Sequence, residues 1–300
     1  MTILPPMNMV ESAADLWHEG EARLKRSPAI QHWPADRERR EAAALLSFAL
    51  GDREASEELA DPDAVVATRP RDRYRLLVER RASGEPMAHI LGWTTFRGLR
   101  IAVGPGSFIP RQSSELLAET AVRRLRGRRG PIAIDLATGV GPVALAVAHE
   151  VRGAEVHGTD ISRRAVRQAR ANAASLGLRN AAFHRGDLFG ALPAALRKRV
   201  AVITVHPPYV PPRELGDLPL EIRGFEPEDA LTDLSADGLG LLARTAEEAP
   251  DWLRPGGWLL VEVSPDRARE VRSRLLRSGY RDVRSTRGWP DISRVIVGRV

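Results

Sequence analysis

The sequence predicts an α/β protein, a Rossmann-like and mostly parallel sheet preceded by a small helical domain, on three observations. From about residue 115 onward, short apolar runs alternate with amphipathic stretches. The first of these runs leads into a glycine-bearing turn, Gly139-Val140-Gly141. Residues 10–83 instead carry apolar side chains at spacings of three and four.

In chain order, helices are expected over residues 10–26, 35–50 and 71–82, with breaks at Ser27-Pro28 and Arg69-Pro70. Residues 90–103 have β character, carrying Trp93, Thr94, Thr95, Phe96 and Ile101, and Gly104-Pro105-Gly106 closes the segment; a hairpin linking two domains is predicted. Strands follow at 131–137, 155–160, 181–187, 200–205 and 258–264, with helices at 143–151, 162–176 and 239–253. The last two apolar runs, 280–285 and 292–297, are separated only by Gly288-Trp289-Pro290 and their short flanks. That spacing is too short for a crossover helix, so an antiparallel edge hairpin is expected. The resulting division is 1–88 helical domain, 89–107 hairpin linker and 108–300 sheet domain.

Composition excludes several classes. Hydrophobic residues are 43% and charged residues 28% of 300, a globular balance, and no apolar run reaches the roughly 18 residues a membrane span needs. No cysteine is present, which excludes disulfides and thiolate metal sites. The opening Met1-Thr2-Ile3-Leu4-Pro5-Pro6 lacks the layout of a secretory signal, so a cytoplasmic location is expected. The net charge of +6 is carried almost wholly by arginine, only Lys25 and Lys198 being lysine, and reads as a compositional bias; direct nucleic-acid binding is not expected. His18, His32, His89, His149, His157 and His184 show no metal-ligand spacing, and no metal site is expected.

The chemistry-bearing residues gather at strand ends. Asp135-Leu136-Ala137-Thr138-Gly139-Val140-Gly141 lets the backbone approach a ligand where open α/β sheets bind one, and Pro142 suits the first helical turn. Asp160, followed by Ile161, ends the second strand, where a carboxylate accepts the hydroxyl protons of a ribose. Asp187-Leu188 ends the third, placing an acid by an adenine amine and an apolar cover over the base. One nucleoside-shaped ligand would satisfy all three. A nicotinamide cofactor competes on these residues, since Gly139 to Ala144 also fits G-x-G-x-x-G/A with Asp160 about twenty residues on. At the fourth strand's end, Val205-His206-Pro207-Pro208-Tyr209 fixes the backbone so that carbonyls project, and Tyr209 can stack on a planar group.

His206-Pro207-Pro208-Tyr209 resembles the (N/D)PPY motif of methyltransferases acting on exocyclic or amide nitrogen. Gly84-Glu85-Pro86, Ile90-Leu91-Gly92, Phe96-x-Gly98-Leu99 and Phe108-Ile109-Pro110-Arg111 with Glu115 are similar to segments of the HemK-type protein-glutamine N5-methyltransferases. So are residues 135–141, Asp160-Ile161-Ser162, Gly186-Asp187-Leu188-Phe189, Glu226-Pro227, Asp237-Gly238-Leu239, 253–257 and Glu262. The resemblance spans most of the chain. It implies a class I methyltransferase sheet, S-adenosyl-L-methionine as cofactor, and a peptide-chain release factor as the family's substrate. It implies cofactor contacts at Asp135, Ala137, Thr138, Gly139, Val140, Gly141, Asp160, Ile161, Asp187, Leu188 and His206. Catalysis falls to His206, Pro207, Pro208 and Tyr209, and acceptor contacts to Phe108, Arg111, Ser114, Glu115, His206, Pro207, Tyr209 and Glu226.

Four departures from the pattern stand out. His206 replaces an asparagine whose side-chain oxygen accepts one amide proton while a proline carbonyl accepts the other; imidazole presents one donor and one acceptor at different positions. Gln112-Ser113-Ser114-Glu115 replaces Pro-Glu/Asp-Thr-Glu, Ala137 replaces the loop's first glycine, and Ser264 stands where glycine is usual. Two of these face the acceptor, so the expectation is a methyltransferase with an altered acceptor, a small molecule such as a free amino acid or the guanidine of arginine, oriented by Glu115 and Glu226. The alternative is an ordinary release factor glutamine methyltransferase in which His206 is neutral drift. Nucleic-acid base N-methylation and an NAD-dependent oxidoreductase are two further classes, the former lacking any target-recognition segment here.

Overall fold

Ser12 opens the helical unit with a capping box. Its hydroxyl accepts from the Asp15 N–H at 3.1 Å while the Asp15 carboxylate accepts from the Ser12 N–H at 3.0 Å, which starts α1 (Ala13–Lys25). The computed structural model describes residues 11–287 and 293–300; positions 10 and 292 and the Gly288-Trp289-Pro290 turn lie outside the described residues. α1 packs with α2 (Arg37–Leu50) and α3 (Thr68–Ala82) around Leu16, Leu24, Leu45, Leu46, Tyr74 and Leu77. Pro70, expected to break the chain, lies in the first turn of α3, where its missing N–H has no helical partner to lose. α4 (Met87–Leu91) closes on Gly92 in the left-handed region at φ 84°.

The helical unit runs to Gly92 and also includes Leu218–Phe225, an excursion from between Asp217 and Glu226 of the sheet unit. This excursion brings Glu221 into a buried ionic cluster. The Arg81 side chain is fully buried and pairs with Glu41 at 2.7 Å and with Glu221; Arg37 meets the same two carboxylates at 2.9 and 2.6 Å. Burial pushes the Glu221 carboxyl up, but the Arg81 charge and bonds from the Gln31 N–H and Arg37 outweigh it and hold it below the usual range. Two guanidinium groups facing two carboxylates leave no charge of the cluster without a partner to offset its desolvation.

The sheet unit comprises Trp93–Asp217 and Glu226–Val300. It begins with a hairpin, β1 (Trp93–Phe96) and β2 (Leu99–Ala102), turned by Arg97 and Gly98 at φ 47° and 74°. The apolar run had suggested a longer strand from residue 90, but Ile90 belongs to α4. The Asn172 side chain bonds the Ala102 N–H and C=O at 3.0 and 3.1 Å, which fixes the hairpin to the sheet unit.

Then come α5 (Glu115–Leu125), β3 (Ile132–Leu136), α6 (Pro142–Glu150), β4 (Glu155–Asp160), α7 (Arg163–Ser175), β5 (Ala181–Arg185) and β6 (Val200–Val205). After α8 (Leu220–Arg223), which lies in the excursion, follow α9 (Gly240–Glu248), β7 (Leu253–Val263), α10 (Ala268–Arg277), β8 (Arg281–Arg287) and β9 (Arg294–Arg299). The seven-stranded order is β5-β4-β3-β6-β7-β9-β8, parallel except for β9. The expected terminal hairpin exists, with a difference: its second strand inserts between β7 and β8, so β8 forms the edge. β3 and β6 are buried along their whole length, as central strands covered on both faces must be. Strand order reverses between β3 and β6, which opens a crevice at their carboxyl ends.

Removing Arg81 from the buried cluster leaves two carboxylates to share Arg37. Arg81→Ala is expected to destabilise the helical unit by about 3–5 kcal/mol, the cost of breaking a buried ion pair. Amide exchange should quicken in α1–α3 and stay unchanged in β3–β7; unaltered exchange throughout would contradict this account of the cluster.

Candidate active site

β3 runs into a loop whose backbone helices and strands avoid. Ala137, Gly139 and Gly141 all have positive φ, at 51°, 58° and 90°. Only alanine among them carries a Cβ to object, so the missing first glycine is tolerated at the cost of local strain. A Cβ on Gly139 would meet nothing within 4 Å, whereas one on Gly141 would lie 3.1 Å from the Phe183 ring. Gly139 thus faces open space and Gly141 serves packing.

Asp160, at the end of β4, accepts from the Gly139 N–H at 2.8 Å and from the Ser162 N–H at 2.8 Å, one bond to each oxygen. Each oxygen keeps a further lone pair. Burial raises its pKa against these two bonds. Ile161 beside it is exposed. Leu188, beyond the end of β5, is buried and held at φ 44°, a conformation a leucine adopts only when its surroundings impose it. The neighbouring Asp187 carboxylate is half exposed and salt-bridged to Arg244 at 2.7 Å.

Asp135 sits beneath the loop. It accepts from the Thr138 hydroxyl at 2.6 Å, from the Thr204 hydroxyl at 2.7 Å and from the Ala144 backbone, while burial pushes it up to about 6. Its oxygens are occupied in building the site; Val140 is buried and Thr138 bonds inward.

At the end of β6, the His206 ring is enclosed on three sides. Phe108 meets it edge-on at 5.9 Å, Tyr209 stacks on it at 5.8 Å, and the Ser114 hydroxyl lies 3.2 Å from Nδ1. Pro207 and Pro208 are buried behind it. Tyr209 is pinned by a bridge to Thr232 and by the Val210 N–H donating to Leu231. Gly238, at φ 70°, passes so close that a Cβ there would collide with the Tyr209 carbonyl oxygen. Burial and the Glu262 charge raise the Tyr209 phenol, and its hydroxyl bonds Ser264.

Arg111 reaches Glu226 at 2.7 Å and lies over the Phe108 ring at 4.6 Å. Burial pushes the Glu226 carboxyl up, while Arg111 and the Ile109 N–H pull it down. Glu115 turns away from this group: its carboxylate accepts from the Arg97 N–H at 2.8 Å and so braces the β1–β2 turn. Of the two acids expected to orient a guanidinium, Glu115 is engaged with backbone and Glu226 with Arg111 through Oε1, its Oε2 having no hydrogen-bond partner among the described residues.

The residue that sequence reasoning did not place in the site is Glu262. It lies on β7 one position past Val261, which pairs with Val205, so it stands beside His206, and its side chain is 2% exposed. The signal was present as a lone acid inside the apolar run of β7.

Residues 129–273 match the methyltransferase domain family, and residues 15–92 match the PrmC N-terminal domain family. A release factor glutamine methyltransferase from Bordetella pertussis is 43% identical over 75% of this chain and 82% of its own. One from Vibrio cholerae is 35% identical over 93% and 96%. Among solved structures, a methyltransferase from Pyrococcus furiosus has a TM-score of 0.50 at 17% identity, covering 68% of this chain and 89% of its own. The T. thermophilus 16S rRNA N2 G1207 methyltransferase (RsmC) in complex with AdoMet and guanosine has 0.51 at 20%, covering 69% and 49%. These two speak to the fold alone.

Fold and strand-end site together define an S-adenosylmethionine-dependent methyltransferase, and the nicotinamide alternative falls away. The chain belongs to the release factor glutamine methyltransferase family, the HemK type. The residues present suit the cofactor: Asp160 has lone pairs to spare for two hydroxyls, Gly139 leaves room for a ligand, and Leu188 offers a fixed apolar surface.

Asp160→Ala is expected to weaken S-adenosylmethionine binding by about 1.5–3 kcal/mol in calorimetric titration, the range for hydrogen bonds to a charged group. Affinity should also decline on acidification from above the usual carboxylate range, because the ionised form is the acceptor and burial raises its pKa. An unchanged affinity in the variant would remove Asp160 from the site.

Proposed function

We propose that this protein methylates the side-chain amide nitrogen of a glutamine in a peptide-chain release factor, using S-adenosylmethionine. The observation that carries the reading is the enclosure of His206-Pro207-Pro208-Tyr209 by Phe108 and Ser114, with Arg111 and Glu226 joined to each other. A free guanidinium is oriented by carboxylates, and here Glu115 accepts from the Arg97 N–H while Glu226 already faces the guanidinium of Arg111. The relatives, named for glutamine methylation, favour the ordinary acceptor over the altered one expected from His206. A cytoplasmic location goes with a translation factor as substrate.

The cofactor supplies an electrophilic methyl on a sulfonium. What the chain must add is alignment and exclusion of water. The Pro207 carbonyl and the His206 ring accept the two amide N–H protons, which holds the amide planar with its nitrogen aimed along the transfer line. Tyr209 covers the amide face. One amide proton leaves after transfer, and His206 is the adjacent base.

Incubation with labelled methyl donor against purified release factors, and in parallel against free amino acids and guanidines, tests the reading. Label should enter a release factor glutamine and no free arginine; the reverse would refute it. Tyr209→Ala should cut turnover while leaving cofactor affinity nearly intact, and equal loss of both would assign Tyr209 to the cofactor pocket.

A further inference from the structure

Histidine in place of asparagine poses a chemical problem that the geometry around it answers. Asparagine offers a carbonyl oxygen that can only accept. A neutral imidazole offers one acceptor nitrogen, and which nitrogen that is depends on where the proton sits. If the proton were on Nε2, the ring would present a donor to an acceptor amide that itself needs N–H acceptors, and the substitution would be harmful.

Two groups face Nδ1. The Ser114 hydroxyl, at 3.2 Å, can donate or accept and so does not choose. The Glu262 Oε2 atom, at 3.6 Å, does choose: it belongs to a side chain 2% exposed, and it has no hydrogen-bond partner among the described residues. A lone pair on Nδ1 facing that oxygen is repelled by it; an N–H there is attracted and relieves an otherwise uncompensated buried acceptor. Phe108 and Tyr209 flank the ring, with centroids at 5.9 and 5.8 Å and interplanar angles of 84° and 28°. Nε2, meanwhile, has no hydrogen-bond partner among the described residues.

We propose that Glu262 holds His206 as the Nδ1–H tautomer, so that Nε2 is a dedicated acceptor for one N–H of the substrate amide and takes over the role of the asparagine oxygen. Glu262 is then a positioning residue, acting through the ring. This rests on the glutamine-amide reading above. On this account the histidine preserves the family's acceptor chemistry in another residue, with the carboxylate beside it supplying what the imidazole lacks.

The test is a long-range 1H–15N correlation spectrum of the protein labelled at histidine nitrogen, recorded without acceptor, with His206 assigned by its disappearance in His206→Asn. The expected pattern is a protonated Nδ1 and an unprotonated Nε2. In Glu262→Gln the side-chain amide can donate to Nδ1, so the Nε2–H form should appear and kcat on release factor should fall roughly tenfold, the loss of about one hydrogen bond. In the His206→Asn background the same Glu262→Gln change should cost less than about threefold, because an asparagine oxygen has no tautomer to lose.

An Nε2–H ring in the unaltered protein, or an equal cost of Glu262→Gln in both backgrounds, overturns the proposal. The spectrum of the unaltered protein decides even if Glu262→Gln fails to fold. The two readings also part here: an Nε2–H protein that still methylates release factor refutes only the tautomer assignment. An Nδ1–H protein that leaves release factor unmethylated refutes the glutamine acceptor, and with it the role given to Nε2.

Discussion

Asp135 is the residue on which the site's two halves depend. Buried beneath the end of β3, it accepts from Thr138 in the cofactor loop and from Thr204 in β6, two residues before His206. One carboxylate therefore ties the loop after β3 to the end of β6, the strand that leads into His206-Pro207-Pro208-Tyr209. Methyl transfer is chiefly a matter of alignment, so a rigid link between the two binding surfaces bears directly on rate. The raised pKa of Asp135 reflects the burial this link demands, offset by the hydroxyl and backbone donors that surround it.

The same economy recurs around the acceptor motif. Tyr209 is held by a bridge to Thr232 and by the neighbouring Val210 N–H on Leu231, and Gly238 makes room for its carbonyl, so it sits on a loop with little freedom. Arg111 and Glu226 neutralise one another at the wall, and Phe108 lies between that pair and His206. The excursion that carries Glu221 to the helical unit starts eight residues after Val210, and the chain returns to the sheet unit at Glu226.

Much of this was legible in the sequence because strand ends announce themselves. An apolar run followed by Asp, Gly or Pro marks where a buried strand meets a ligand, and β3, β4 and β6 all carry such signals. α10 was less legible because it buries only Val271 and Leu275 amid arginines, too little for a periodic signal. α5, absent from the helices expected from sequence, carries a buried stripe at 117, 118, 121, 122 and 125. Side-chain pairing is what sequence does not give. Glu115 and Glu226 look alike as acids near the acceptor, yet one braces a hairpin turn and the other an arginine. Glu262 matched the family pattern without revealing that it neighbours the one unusual residue of the motif. His206 reads in the sequence as an isolated substitution, whereas in the structure Phe108, Ser114, Tyr209 and Glu262 surround it.

The central claim is that a release factor glutamine receives the methyl group. The most direct measurement is tandem mass spectrometry of release factor isolated from cells that have the gene and from cells in which it is deleted. The account expects one added methyl, localised to a glutamine side chain, that disappears on deletion and returns when the gene is restored. A release factor with the same modification in both strains, or with none in either, would contradict it.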